Sequence, residues 1–136
     1  MTEHIKLFMP AYGRGFHLVT RDIVNQLGEL PADGILHLFI QHTSAGLTIN
    51  ENADPTVRID FESFFNQIVK ENEPFVVHDM EGPDDMPAHI KSSLVGCSVS
   101  IPIHNHRLIL GTWQGIYLCE FRNEPHYRTI MASILS

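Results

Sequence analysis

Residues 44–70, SAGLTINENADPTVRIDFESFFNQIVK, contain the two clearest signals of secondary structure in the chain. The first of them is an alternating pattern over residues 44–50. Apolar side chains stand at Ala45, Leu47 and Ile49, with small or polar residues between them. Because successive side chains of a strand point to opposite faces of a sheet, this pattern predicts a strand with one apolar and one polar face.

The second signal is a helix that begins at Asp54 and Pro55. An acidic N-cap followed by proline at the first helical position is a strong helix start. Apolar residues then recur at helical spacing up to about Lys70, at Val57, Phe61, Phe64, Phe65 and Ile68. The 44–70 stretch therefore predicts a strand and an amphipathic helix in immediate succession.

Further strands and helices are predicted on both sides of this stretch. A helix is expected after Thr20, and another is expected to open at Pro87 and close at Gly96. Short β-rich runs bounded by turn residues predict the remaining strands, at 5–9, 15–20, 35–42, 75–77, 98–103, 107–113, 115–122 and 127–135. Strands that are mostly joined by hairpins, with only two or three helices, indicate an α+β fold.

Length and charge limit the classes of function. The 136 residues fit one domain, and a net charge of −7 argues against nucleic-acid or anionic-membrane binding. Residues 87–136 carry four bases and two acids, so any bound anion is expected there.

No apolar run approaches the roughly 18 residues of a membrane span, and no signal peptide is evident, so a cytoplasmic location is expected. Cys97 and Cys119 form no CxxC motif and are expected to be buried, unreactive thiols.

Two candidate segments surround the 44–50 strand. The run from Gln41 to Gly46 is rich in small polar side chains, which suit either a β-turn or ligand binding by the Thr43 and Ser44 hydroxyls. The run from Asn50 to Asp54 leads into the helix, whose N-terminus favours an anion. Helix capping is the simpler interpretation of Asp54.

A third candidate lies between His78 and His89. If residues 85–89 are helical, Asp85 and His89 share one face. Such a pair suits a metal site or proton transfer, and it equally suits a carboxylate that orients an imidazole without metal.

The fourth candidate is Glu120 with Arg122 in a very apolar strand. At i and i+2 the two side chains point to the same face. They predict either an ion pair or an arginine that grips a phosphate or carboxylate through its planar fork.

Three ordered blocks of the sequence resemble the YjbQ-like family, which is often labelled secondary thiamine-phosphate synthase. The blocks are 42–62 (HTSAGLTINENADPTVRIDFE), 86–103 (MPAHIKSSLVGCSVSIPI) and 110–122 (LGTWQGIYLCEFR). The resemblance implies a compact single α+β domain over 1–136, with sheets packed face to face as a sandwich. It also implies a homotrimer with polar residues gathered in clefts near subunit boundaries. The family-like positions are His42, Thr43, Ser44, Asn50, Glu51, Asp54, His78, His89, Trp113, Gln114, Glu120 and Arg122.

The resemblance further implies a metal-assisted transferase that joins a pyrimidine to a thiazole phosphate. His78 and His89, with His42 as a candidate third ligand, would hold a divalent metal, Zn²⁺ or Mg²⁺. Glu51, Asp54 or Glu120 would act in proton transfer or orientation. The phosphorylated substrate would contact Thr43, Ser44, Asn50, Trp113, Gln114 and Arg122. The alternatives are a metal-dependent hydrolase, with Glu51 or Glu120 as base, and a non-enzymatic module that binds a small anion.

Overall fold

The computed structural model describes residues 1–136, which form eight strands and three helices. The strands are β1 (Thr2–Tyr12), β2 (Gly15–Leu18), β3 (Asp33–Ile40), β4 (Ala45–Glu51), β5 (Ser98–His104), β6 (Arg107–Leu108), β7 (Gln114–Glu120) and β8 (His126–Leu135). The helices are α1 (Thr20–Leu27), α2 (Pro55–Ile68) and α3 (Asp85–Val95).

The strands form two antiparallel sheets that enclose the main core. One sheet has the order β1-β8-β3-β5-β6, and the other has the order β2-β7-β4. The largest cluster of buried apolar side chains draws on both, with Leu36 and Leu38 from β3, Leu47 from β4 and Leu118 from β7. The fold is therefore the α+β sandwich that was expected, with antiparallel sheets packed face to face.

Strand β7 is buried on both faces, because a helical layer covers the outer face of the smaller sheet. Ile116 and Leu118 belong to the core between the sheets. Tyr117 and Cys119 belong to a second cluster, which is completed by Phe16, Ala88 and Phe121 and packs against Phe61 and Phe65 of α2. This layer fixes α2 and α3 against the sheet.

The strand and helix of the 44–70 stretch are confirmed. Asp54 is the N-cap of α2: its Oδ1 accepts a hydrogen bond from the Thr56 amide at 2.9 Å, and Pro55 follows. In α1 the cap is Val19, and the hydroxyl of Thr20 instead accepts from the Ile116 amide of β7 at 2.8 Å.

Three local predictions are wrong. Residues 75–77 form no strand, since no neighbouring strand lies beside them, and Phe75 and Val77 stay exposed. The predicted strand 107–113 shrinks to Arg107–Leu108. Cys97 is exposed, whereas Cys119 is buried as expected, and its burial raises the pKa of that thiol.

None of the three helices has both the length and the hydropathy needed to cross a membrane.

Gly46 is where β4 meets the C-terminal end of α3. A Cβ at this position would lie 2.8 Å from the Gly96 carbonyl oxygen and 3.1 Å from Val95 Cγ1. The Gly96 oxygen is itself fixed, because it accepts a hydrogen bond from the Leu47 amide at 3.1 Å. Only a residue without a side chain lets α3 sit this close to the sheet.

Gly46→Ala is therefore expected to lower the free energy of unfolding by about 1–3 kcal/mol, the usual cost of an overpacked core. Urea denaturation measures the change. Gly13→Ala is the matched control, because a Cβ at Gly13 meets nothing within 4 Å. Equal stability of the two variants would contradict this account of the β4–α3 contact.

Candidate functional site

His78, Asp85 and His89 form a cluster at the start of α3. Asp85 is the first residue of α3 and only 1% exposed, His89 follows one turn later, and His78 lies in the preceding loop. Asp85 Oδ2 lies 2.8 Å from His78 Nε2 and 3.1 Å from His89 Nε2. One ligand atom from each of the three residues lies within 4.8 Å of the other two, a spacing that suits a metal ion.

The main chain determines which nitrogen of His89 faces the cluster as an acceptor. His89 Nδ1 lies 2.8 Å from the carbonyl oxygen of Thr43. A carbonyl only accepts hydrogen bonds, so Nδ1 carries a proton and, in the neutral ring, Nε2 carries a lone pair. That lone pair and the Asp85 carboxylate face each other, an arrangement that is stable only with a proton or a cation between them.

Arg122 holds the two adjacent carboxylates at the start of α3. Its Nη1 lies 2.9 Å from Asp85 Oδ1, its Nε donates to Asp84 Oδ2 at 2.9 Å, and its Nη2 donates to the Glu81 carbonyl at 3.0 Å. Burial raises the pKa of Asp85, but the hydrogen bond from His78 and the charges of His89 and Arg122 outweigh it and leave that pKa below its usual range. Asp85 is therefore an ionised carboxylate with one oxygen fixed and the other turned toward the histidines.

The expectations for Arg122 and Glu120 need correction. Each of the three nitrogens of the Arg122 fork already contacts an acceptor within the protein, and two of these acceptors are carboxylates that neutralise its charge, so the planar fork is not free to grip a phosphate. Glu120 is completely buried and pairs with Arg128 of β8 instead, with Arg128 Nε donating to Glu120 Oε1 at 2.7 Å. A carboxylate in this position has no access to substrate and does not serve as a base.

Ser44 serves the structure through its side chain, and Thr43 does so through its carbonyl, while the Thr43 hydroxyl stays exposed. Arg128 Nη2 donates to the buried Ser44 hydroxyl at 3.0 Å, so this hydroxyl is not free to bind a ligand. The Thr43 carbonyl, rather than its hydroxyl, makes the contacts with α3, accepting from His89 and from the Ser92 hydroxyl, each at 2.8 Å.

Five of the expected site residues lie at the other end of the β4–β7 pair. Ala45 is opposite Glu120 near the cluster, whereas Glu51 is opposite Gln114. Six residues of strand separate these positions by about 20 Å. The five residues at the far end are Asn50, Glu51, Asp54, Trp113 and Gln114.

Each of these five contributes to local structure. The Glu51 carboxylate accepts from the amides of Ala53 and Asp54 at 3.0 and 2.9 Å. The amide and hydroxyl of Thr56 lower the pKa of Asp54, as expected of an N-cap. Asn50 accepts from its neighbour's amide, Gln114 accepts from the Gly111 amide, and Trp113 is an exposed turn residue whose carbonyl accepts from Asn52.

His42 lies beside the cluster and is not part of it. Its Nε2 accepts a hydrogen bond from the Thr129 amide at 2.9 Å, which uses the lone pair that a metal would need. Burial, followed by the charge of Arg128, lowers the pKa of His42. Asp85 takes the third position that was assigned to His42. The i, i+4 spacing from Asp85 to His89 already signalled this pair, whereas nothing in the sequence pointed to the Thr43 carbonyl or to the pairing of Arg128 with Glu120.

Comparison with known proteins identifies the family. The family model described as UPF0047 protein YjbQ-like matches residues 5–136. The UPF0047 protein YjbQ of Escherichia coli O157:H7 is 53% identical over 130 residues, 94% of each chain. The UPF0047 protein MJ1081 of Methanocaldococcus jannaschii is 43% identical over 118 residues, 86% of this chain and 82% of the relative.

Solved structures agree with this result. The conserved hypothetical protein TT1486 of Thermus thermophilus superposes with a TM-score of 0.85 at 34% identity, covering 96% of this chain and 99% of that one. A YbjQ-like protein of unknown function from Sulfolobus solfataricus has the same fold, with a TM-score of 0.85 at 19% identity, covering 100% of this chain and 98% of that one.

These findings correct the expected activity. The matching family model and the relatives are named only as UPF0047 proteins, and none carries a thiamine-phosphate synthase assignment. The assignment as a thiamine-phosphate synthase is therefore wrong, and the names equally assign neither a hydrolase nor an anion-binding module. The family itself is established by the match over nearly the whole chain, and the protein belongs to the YjbQ-like UPF0047 family.

Proposed function

We propose that the protein binds one divalent transition-metal ion through His78 Nε2, Asp85 Oδ2 and His89 Nε2. The observation that carries this proposal is the convergence of the three atoms within 4.8 Å, with the lone pair of His89 turned toward a carboxylate. Two imidazoles and one carboxylate are a donor set for Zn²⁺ and similar ions, whereas Mg²⁺ prefers oxygen ligands. Of the two metals expected from the sequence, these residues favour zinc.

The surroundings of the three residues support the proposal. The Thr43 carbonyl accepts the Nδ1 proton of His89, and this kind of outer partner orients metal-binding histidines in known sites. Arg122 fixes the other oxygen of Asp85 at 2.9 Å and leaves Oδ2 to face the histidines. Both partners reduce the entropy lost when an ion binds, because the donor atoms are already in place.

The three ligands would leave the metal accessible from solvent. Asp85 closes the inner side of the cluster, while the His78 side chain is 51% exposed and that of His89 is 29% exposed. Three protein ligands with an open position are the arrangement of catalytic rather than structural zinc sites. The ion would supply Lewis-acid polarisation of a bound oxygen. We therefore propose an enzymatic role in which a small molecule binds at this open side.

The homotrimer expected from the resemblance is part of the same proposal. The outer face of the five-stranded sheet is a broad surface that no other element of the chain covers. Four large apolar side chains are exposed on it, those of Phe8, Ile35, Phe39 and Leu135. A subunit contact would cover these side chains, and light scattering of the purified protein measures the assembly.

Metal analysis tests the central proposal. Purified protein stripped with a chelator and dialysed against Zn²⁺ is expected to retain one zinc per chain, measured by plasma emission spectrometry. Mg²⁺ in large excess is expected not to displace it. Protein that folds but retains no stoichiometric zinc would contradict the proposal.

A further inference from the structure

A cavity of about 420 Å³ adjoins the His78–Asp85–His89 cluster. His89 belongs to both, since its Nε2 faces Asp85 while its ring lines the cavity. His42, Thr43, Ser92 and Cys97 line the cavity further. Its volume falls within the range of small-molecule sites.

The tautomer of His42 follows from its contact with β8. A backbone amide only donates, so the Thr129 amide at 2.9 Å requires an unprotonated Nε2. The proton of the neutral ring is therefore on Nδ1. This Nδ1–H makes no hydrogen bond within the protein, and the ring that carries it lines the cavity.

The serine hydroxyls of the cavity wall have already used their protons. The Ser92 hydroxyl lies 2.8 Å from the Thr43 carbonyl and 2.9 Å from the His89 carbonyl, and the Ser93 hydroxyl donates to the His89 carbonyl at 3.0 Å. The side-chain donors left for a ligand are Nδ1–H of His42, the exposed Thr43 hydroxyl and the weakly donating Cys97 thiol. A hydroxyl rotates and can accept as well as donate, so Nδ1–H of His42 is the donor that specifically requires an acceptor.

We propose that this cavity binds a small molecule through a carbonyl or carboxyl oxygen that accepts the Nδ1–H of His42, beside the metal ion. The inference rests on the proposed metal site for a second contact, from another oxygen of the same molecule to the ion. His42 acts here as a binding residue that selects for an acceptor oxygen. It is not a metal ligand.

Two substitutions distinguish the role of His42 Nε2, which contacts Thr129, from that of His42 Nδ1, which is assigned to the ligand. His42→Gln places an amide near the former Nε2, so it keeps an acceptor for the Thr129 amide and removes the donor at the cavity. His42→Asn places its amide near the former Nδ1, so it keeps the cavity donor and loses the contact with β8. Both leave His78, Asp85 and His89 intact.

The probe is acetohydroxamate, which presents a carbonyl oxygen together with a metal-binding oxygen. With zinc-loaded protein, calorimetry is expected to show roughly tenfold weaker binding to His42→Gln, as for loss of one hydrogen bond. His42→Asn is expected to bind close to wild type. Bound probe should also slow alkylation of the exposed Cys97 by iodoacetamide, a reaction that the buried Cys119 does not undergo.

Nitrogen NMR of the wild-type protein provides a test that needs no variant. His42 is expected to show a protonated Nδ1, with a proton shift that changes when acetohydroxamate is added. A protonated Nε2, or equal probe affinity of zinc-loaded wild type and His42→Gln, would overturn the His42 inference while leaving the metal site intact. Failure to bind zinc would overturn both proposals, so the two failures are distinguishable.

Discussion

Glu120→Gln is expected to lower the free energy of unfolding by about 3–5 kcal/mol, the typical cost of removing one partner of a buried ion pair. Glu120 is fully buried on β7 of the smaller sheet, and Arg128 is 4% exposed on β8 of the larger one. The glutamine has nearly the shape of the glutamate but no charge, so the Arg128 guanidinium would remain buried without its counterion. Urea denaturation measures the loss.

Two further variants separate the charge effect from packing. Replacing both partners by apolar residues, as Glu120→Leu with Arg128→Met, is expected to recover much of the loss, because no unpaired charge then remains buried. Glu124→Gln is the control, because it removes an exposed acid four residues after Glu120 in the chain. It is expected to change the free energy of unfolding by less than about 0.5 kcal/mol. If Glu120→Gln were as mild as Glu124→Gln, the buried pair would not join the sheets as described.

His89→Ala is expected to weaken zinc binding by more than about 100-fold, since loss of even an outer partner of a metal ligand costs about 10- to 100-fold. The substitution removes Nε2 from the cluster and leaves only one imidazole beside Asp85. Because the His89 side chain is 29% exposed, the metal-free protein should stay folded. Competition with a chromophoric chelator measures the affinity, and circular dichroism verifies the fold.

The control for this variant is another histidine far from the cluster. His37 lies on β3, where its Nδ1 contacts the Ser100 hydroxyl at 2.9 Å. His37→Ala is expected to bind zinc as tightly as the wild type. Equal zinc affinity of His89→Ala and His37→Ala would show that the ion binds elsewhere.

Local signals predicted the fold well where they were strong. The alternation of Ala45, Leu47 and Ile49 and the Asp54-Pro55 start each act within one turn or one strand, so β4 and α2 were predicted within a few residues. The run 75–77 has the composition of a strand, but a strand also needs a partner, and none lies beside it. Pairing of this kind is a property of the whole fold.

The contacts of the site could be predicted from the sequence only where the two residues are neighbours in the chain. Asp85 and His89 meet because four residues of helix bring them together. The predicted strand 115–122 put Glu120 and Arg122 on one face, but β7 ends at Glu120. Glu120 pairs instead with Arg128, eight positions along the chain, and Arg122 pairs with Asp84, 38 positions back. Residues 42–54 seemed to form one site, but an extended strand carries the two ends of that stretch far apart.

The three residues of the cluster come from one short stretch, 78–89, which lies outside both sheets. A bound ion would tie the loop at His78 to the first turns of α3, so it would oppose local opening of this segment. Bound zinc would therefore slow amide hydrogen exchange in the first turns of α3 and leave the exchange of β3 unchanged.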